Sequence, residues 1–217
     1  MKWFESYKQL LIDCNIMDVP SHIWNADECG VQDVFLSNRA VGETGLPLYQ
    51  VTSGEKGETT TILPAFNAMG SVAALMVIFK AQRIKVEWAT RSPNGTISRG
   101  SKDGWINKEL FFEFGKKFVE GITKDDRKHI LLLDGHGSHV YNLDFINLMK
   151  ENNVEIFCFP PHTSHWLQPA DKSVFKSFKT HWTTEGLKFN KDLGGRKLGK
   201  TNFFYGVYSS LGLKCHS

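Results

Sequence analysis

Few cysteines, no long apolar run and little net charge mark this chain, and each shortage removes a class of protein. Only four cysteines, Cys14, Cys29, Cys158 and Cys215, occur in 217 residues, and no pair has CxxC spacing. That excludes a disulfide-stapled scaffold or a zinc ribbon and suits a reducing compartment. The longest unbroken apolar stretch is Val72 to Phe79, far short of the ~18 residues of a membrane span. The opening MKWFESYKQLLIDCN scatters charges where a signal peptide needs an apolar core. Asn94-Gly95-Thr96 fits a glycosylation sequon but reads as a turn. With 41% hydrophobic and 23% charged residues, wholesale disorder is also excluded.

The net charge of +3 says little by itself, but its distribution is uneven. Lys172, Lys176, Lys179, Lys188, Lys191, Arg196, Lys197 and Lys200 crowd one segment, against Asp171, Glu185 and Asp192. A basic end on a near-neutral body suits a polyanionic partner; a solvated helix face is the plainer alternative.

Hydrophobic spacing gives the organisation. Residues 4–13 read as an amphipathic helix, and His22 to Asp27 as a strand after the Pro20-Ser21 break. Residues 30–57 read as a turn-rich excursion with a short strand at Leu48 to Thr52. Thr59 to Ala68 and Val72 to Phe79 pattern as a hairpin. Residues 91–104 read as polar loop. Asn107 to Ile122 reads as a helix, and Ile130 to Leu133 as a strand buried on both faces. Val140 to Asn152 reads as a helix with Leu143, Ile146 and Met149 inward, and Glu155 to Phe159 as a strand. Pro169 opens the next helix, whose buried side carries Val174, Phe175, Phe178 and Trp182. This order predicts an α/β fold, a five-stranded mixed sheet with helices on both faces. The boundaries predicted are a helical lead-in at 1–21, a domain at 22–185 and a basic tail at 186–217.

Three aspartates sit where such sheets gather ligands. Asp27 ends the first strand, Asp134 ends the buried apolar strand, and Asp171 lies in the first turn of the helix after the last strand. Singly, each suits a turn or a helix start. Together they make an oxygen-rich site for hard divalent cations, Mg²⁺ or Mn²⁺. Two such ions about 3.5–4 Å apart suit phosphodiester chemistry.

Trp24-Asn25-Ala26-Asp27-Glu28-Cys29-Gly30 resembles the N-x-D-E-[TS]-G strand of pogo-like DDE transposases, the Tigger/jerky/centromere-protein-B group. Leu131 to His139 (LLLDGHGSH) resembles their second-aspartate motif, and Phe159 to Asp171 (FPPHTSHWLQPAD) their third. The resemblance runs from about Ile23 to Trp182. It implies an RNase H-like fold with Asp27, Asp134 and Asp171 as catalytic and metal-holding residues. It also implies a nuclear protein acting on DNA by metal-dependent strand cleavage and strand transfer. Cys29 stands where the group has a small hydroxyl residue, and Ala170 where it has leucine. About 22 residues precede the first strand, too few for a helix-turn-helix. The alternative function is therefore a domesticated or decayed DNA-binding or chromatin protein without catalysis.

Other side chains take supporting parts. Strand alternation points Glu28 away from Asp27, toward a supporting role beside the carboxylates. His136 and His162 are expected to orient the carboxylates, and His139 and His165 to touch phosphate. A structural zinc site built from these four histidines is a weaker reading, because their spacing is not that of a finger. Trp166 is placed to stack on an unpaired base, and Lys172, Lys176 and Lys179 to line a DNA path. The sequence is compatible with a homo-oligomer and implies no membrane partner.

Overall fold

The computed structural model describes residues 2–35, 57–135, 141–192 and 198–210. The strand expected at Leu48 to Thr52 lies outside them.

The chain begins with α1 (Lys2–Asp13) and enters the sheet through β1 (Ile23–Ala26) and β2 (Cys29–Gln32). A long hairpin follows, β3 (Thr59–Asn67) and β4 (Val72–Lys80), then a short α2 (Val86–Ala89) and β5 (Thr96–Ser101). After α3 (Lys108–Gly121) come β6 (His129–Leu133), α4 (Leu143–Glu151) and β7 (Val154–Cys158). A one-turn α5 (Ser164–Leu167) and a π-type turn (Ala170–Val174) lead into α6 (Phe175–Asp192). The last described element is α7 (Phe203–Ser210). Helix α3 starts where expected and α4 starts at Leu143, not at Val140, because Asn107 and Asn142 cap them, accepting the amides of Leu110 and Phe145.

The strands form one mixed sheet in the order β5-β4-β3-β1-β6-β7, with β2 also paired to β3. Pairing is antiparallel for β1–β3, β2–β3 and β3–β4, and parallel for β1–β6, β6–β7 and β4–β5. Among the described residues the sheet is seven-stranded, not five-stranded. Strand β5 was hidden in the polar stretch because it is an edge strand, whose outer side needs no apolar pattern. Strand β2 was hidden because it continues the register of β1 after a two-residue break.

Helices cover both faces. On one, Trp24, Leu63, Met76 and Leu131 pack against Phe111, Phe114 and Phe118 of α3 and Phe145 and Met149 of α4. Each fully buried aromatic contributes about 2–3 kcal/mol of transfer free energy. Gly115 lets α3 and α4 approach, since a Cβ there would stand 2.6 Å from the Phe145 ring. The inward face of α4 is carried by Phe145 and Met149; Leu143, expected inside, is 72% exposed. The capped start at Asn142 sets a helical phase that puts Leu143 in the first turn, facing out.

The opposite face has two clusters. Cys29, Val31, Ile62, Val77 and Phe79 pack under Phe175, Trp182, Phe203, Phe204 and Val207. Leu11, Ile130, Leu132 and Phe159 pack under α1, whose Trp3 indole donates to the Cys158 carbonyl (2.8 Å). Val174 is exposed, because the π-type turn rotates it off the apolar side that Phe175 and Trp182 keep.

Candidate active site

The site is assembled by strand register. β1 and β6 run parallel with Trp24 beside Leu131 and Asn25 beside Leu132. Continued by two residues, that register sets Asp27 beside Asp134. β1 and β2 share one register on β3, Ala26 opposite Ala65 and Cys29 opposite Ile62. Asp27 and Glu28 occupy the break between them, opposite Pro64 and Leu63. Proline has no N–H, so β3 is short of a donor at the level of Asp27. Side-chain alternation then puts Asp27 and Asp134 on the face of Cys29, Ile130 and Leu132, where α6 lies, and Glu28 on the other.

The charges of the other carboxylates act on Asp27. Asp27 has its carboxyl pushed up to about 7, chiefly by burial and then by the charges of Asp171, Asp134 and Glu28. The Glu28 backbone N–H, donating to it, partly offsets this. Asp134 is half-buried just past β6, and Asp171 is exposed in the π-type turn. The Cys29 thiol is pushed up to about 11 by burial and by Asp27 and Asp171, with Lys179 opposing. A protonated thiol leaves oxygen as the donor type here. A buried carboxyl beside two further carboxylates fits a hard divalent cation.

Asn25, which sequence reading passed over, joins the elements of this site. Its amide donates to the Leu132 carbonyl (3.0 Å) and to Oε1 of Gln168 (2.8 Å), and its Oδ1 accepts the Ala170 N–H (3.0 Å). Both Asn25 and Gln168 stood inside the quoted motifs. The available signal was a polar amide at a strand position otherwise reserved for apolar side chains.

Trp166 stands 70% exposed on α5, with the Lys172 ammonium 5.2 Å from its ring centroid. Lys176 and Lys179 line an open depression with Asp171, Phe175, Thr180, Thr183 and Thr184. His162 is exposed in a turn with a left-handed backbone, φ 62°. His136 and His139 lie outside the described residues, as does the side chain of His165.

A second titratable cluster sits at the far end of β1 and β6. His22, Asp125 and His129 bring ligand-type atoms within 4.8 Å of one another. The His22 and His129 rings are stacked, centroids 4.1 Å apart and planes 1° from parallel. An ion lies in the plane of each imidazole that binds it, and two stacked planes share no such point. The nitrogens are also engaged: His129 Nδ1 accepts from the Trp24 indole (3.0 Å) and Nε2 donates to the Thr123 carbonyl (2.9 Å). His22 Nε2 faces the Asp125 carboxylate (3.1 Å). This is a hydrogen-bonded lock on the strand ends.

The sequence profile of the DDE superfamily endonucleases matches residues 56–205, and the chain belongs to that family. The match contains Asp134 and Asp171; Asp27 lies ahead of it and joins them through the register of β1. Among solved structures, the chain resembles the Mos1 mariner paired-end complex with Mn, with TM-score 0.57 and 14% identity over 94% of this chain and 56% of that one. It also resembles the Mos1 strand transfer complex, with TM-score 0.56 and 14% identity over 94% and 55%. That likeness shows the fold, the α/β architecture of the transposase's RNase H-like domain. The chain spans just over half the length of those relatives. A curated relative, the MFS-type transporter clz9 of Cochliobolus lunatus, is 32% identical over 135 residues, 60% of this chain but 14% of that protein. Among the described residues, no helix is long and apolar enough to cross a membrane.

Proposed function

We propose that this DDE domain cuts and joins DNA strands with Asp27, Asp134 and Asp171 as its catalytic carboxylates, as the pogo-like motifs imply. The observation that carries this is the parallel register of β1 and β6, which two residues beyond Asn25 and Leu132 sets Asp27 beside Asp134, with the charge of Asp171 also reaching Asp27. Carboxylates from three separate elements, two of them acting by their charge on the buried third, suit a shared cation. The three would hold two Mg²⁺ or Mn²⁺ ions. Bound there, a divalent cation supplies Lewis acidity toward a phosphodiester.

The chain's other residues handle the nucleic acid. Trp166 offers an aromatic face to an unpaired base, and Lys172 sits over the same ring. Lys176 and Lys179 take phosphate oxygens along α6 and keep the strand over Asp171. By the same motifs His139 and His165 would touch phosphate, and His162 would orient the carboxylates. A DNA substrate makes this a nuclear protein.

The test is incubation of the purified chain with pre-nicked or branched DNA and Mn²⁺, beside Asp134→Asn. Cleavage by the native chain alone is the expected result. DNA binding without cleavage would instead indicate a captured transposase acting as a chromatin protein.

A further inference from the structure

The three carboxylates come from segments far apart in the chain, and backbone pairing fixes only two of them. β1 and β6 are hydrogen-bonded neighbours, so Asp27 and Asp134 are set by the sheet. Asp171 is not on a strand. It follows Ala170 at the entry to α6, and its distance from the other two depends on whatever ties that entry to the sheet.

Apolar packing of Ala170 and Phe175 on Cys29 and Ile62 holds that entry to the sheet, and one buried side chain adds a directional tie by hydrogen bonds. Asn25 is 3% exposed, on β1 two residues before Asp27. One amide proton goes to the carbonyl of Leu132, two residues before Asp134. The other goes to Gln168, and Oδ1 accepts the N–H of Ala170, the residue before Asp171. One planar amide therefore touches all three carboxylate-bearing elements. Its orientation follows from its partners: the Ala170 N–H is only a donor and the Leu132 carbonyl only an acceptor, so the amide cannot be turned over. Asn25 in turn orients Gln168, which must present Oε1 to it. The Gln168 Nε2, fully buried, has no hydrogen-bond partner among the described residues. Gln168 thus completes the Asn25 bonds while one of its own groups goes unmatched, which marks the Asn25 contact as what this buried glutamine serves.

We infer that Asn25 is a positioning residue, which through Ala170 and Gln168 fixes Asp171 against Asp27 and Asp134 and so sets the geometry in which a divalent cation is held. This rests on the proposed reading of the three aspartates as metal ligands. Outer partners that orient ligands change metal affinity by about 10–100-fold when removed.

The experiment compares the native chain with Asn25→Ala and Asn142→Ala. Asn142 is also buried and makes comparable bonds, to Phe145 and Lys108, away from the site. Two readouts are taken: Mn²⁺ affinity from the electron paramagnetic resonance of free Mn²⁺, and amide hydrogen exchange over Ala170–Lys172 without metal. Asn25→Ala is expected to bind Mn²⁺ at least about tenfold more weakly and to exchange faster over Ala170–Lys172; Asn142→Ala should change neither. Unchanged exchange in Asn25→Ala, or faster exchange with unchanged Mn²⁺ affinity, overturns the inference. Absence of Mn²⁺ binding by the native chain overturns the metal reading itself, and the inference with it. Should Asn25→Ala not fold, Gln168→Met keeps the volume and removes one acceptor; it too must weaken Mn²⁺ binding and speed exchange at Ala170, and no change in either overturns the inference.

Discussion

Asp27 and Asp134 follow neighbouring parallel strands whose register, carried two residues past Asn25 and Leu132, sets them level, and the charge of the second acts to raise the carboxyl of the first. Parallel pairing is what allows this. Both strands deliver their carboxyl ends to the same edge, so two residues distant in sequence become lateral neighbours. Asp171 reaches the same edge from the entry to α6, and its charge also acts on Asp27.

Removing one of these charges separates a metal site from a turn. Asp134→Asn keeps the shape and relieves like-charge repulsion. Without metal it should be as stable as the native chain or more so, by up to ~1–2 kcal/mol. Stabilisation by Mg²⁺ or Mn²⁺ should disappear in thermal melts, because linkage needs the intact site. An unchanged metal shift in the variant would show that the ion binds elsewhere.

The raised carboxyl of Asp27 gives a pH dependence of definite sign. In the unfolded chain it ionises near its ordinary value of 3.8, but in the fold only at about 7. Between these the folded state holds the extra proton, so this residue's contribution to stability falls as pH rises from about 4 to about 7. The strain relieved by Asp27→Asn should therefore be near zero at pH 4 and grow to on the order of 4 kcal/mol above pH 7. Denaturant titrations of both proteins, metal-free, measure the difference; a gap that does not vary with pH would contradict it.

The histidine lock predicts the opposite slope. Burial, and then His22, push the His129 imidazole down, with the Thr123 hydrogen bond opposing. His129 is thus kept neutral in the fold and protonates more readily when unfolded. Its contribution is present above the ordinary histidine value of about 6.5 and is lost as pH falls below it. His129→Ala should cost about 2–4 kcal/mol, since it empties a buried site and strands the Trp24 indole N–H. It should also flatten the acid slope and leave the Mn²⁺ response untouched. Stabilisation of the native chain by Zn²⁺ that vanishes in His129→Ala would reverse our reading of this cluster.

Trp166→Ala should leave stability within about 0.5 kcal/mol, because the ring is exposed. Binding of branched or single-stranded DNA should weaken by about 1–3 kcal/mol if one base stacks there. Lys176→Ala with Lys179→Ala should instead reduce the salt dependence of binding. Fluorescence anisotropy at two salt concentrations distinguishes the two effects.

Much of this was legible in the sequence because its signals are strong where the core is deep. The apolar strand Ile130 to Leu133 announces itself, since burial on both faces leaves no polar residue in it. Asp134 follows directly, and Asp171 is flagged by Pro169. What escaped notice depends on partners. Strand β5 reads as loop because its residues are polar, and only its parallel pairing with β4 makes it a strand. Leu143 and Phe145 exchanged roles because the phase of α4 is set by its cap at Asn142, not by apolar spacing alone. Asn25 looked like one letter of a motif, and its three bonds exist only after residues 25, 132 and 170 meet. The His22–His129 stack likewise joins strand ends with no shared pattern in the sequence.

The break between β1 and β2 has a consequence for how this protein can change over generations. Because the ladder resumes on the same register after Asp27 and Glu28, that dipeptide is bounded by rungs on both sides and its length is fixed at two. Adding or deleting one residue there would invert every side chain of β2, turning Cys29 and Val31 out of the core or carrying the carboxylate to the wrong face. Surface connections elsewhere tolerate insertion. This spacing does not, so in descendants of this chain the distance from Ala26 to Cys29 should outlast the identity of almost any residue around it.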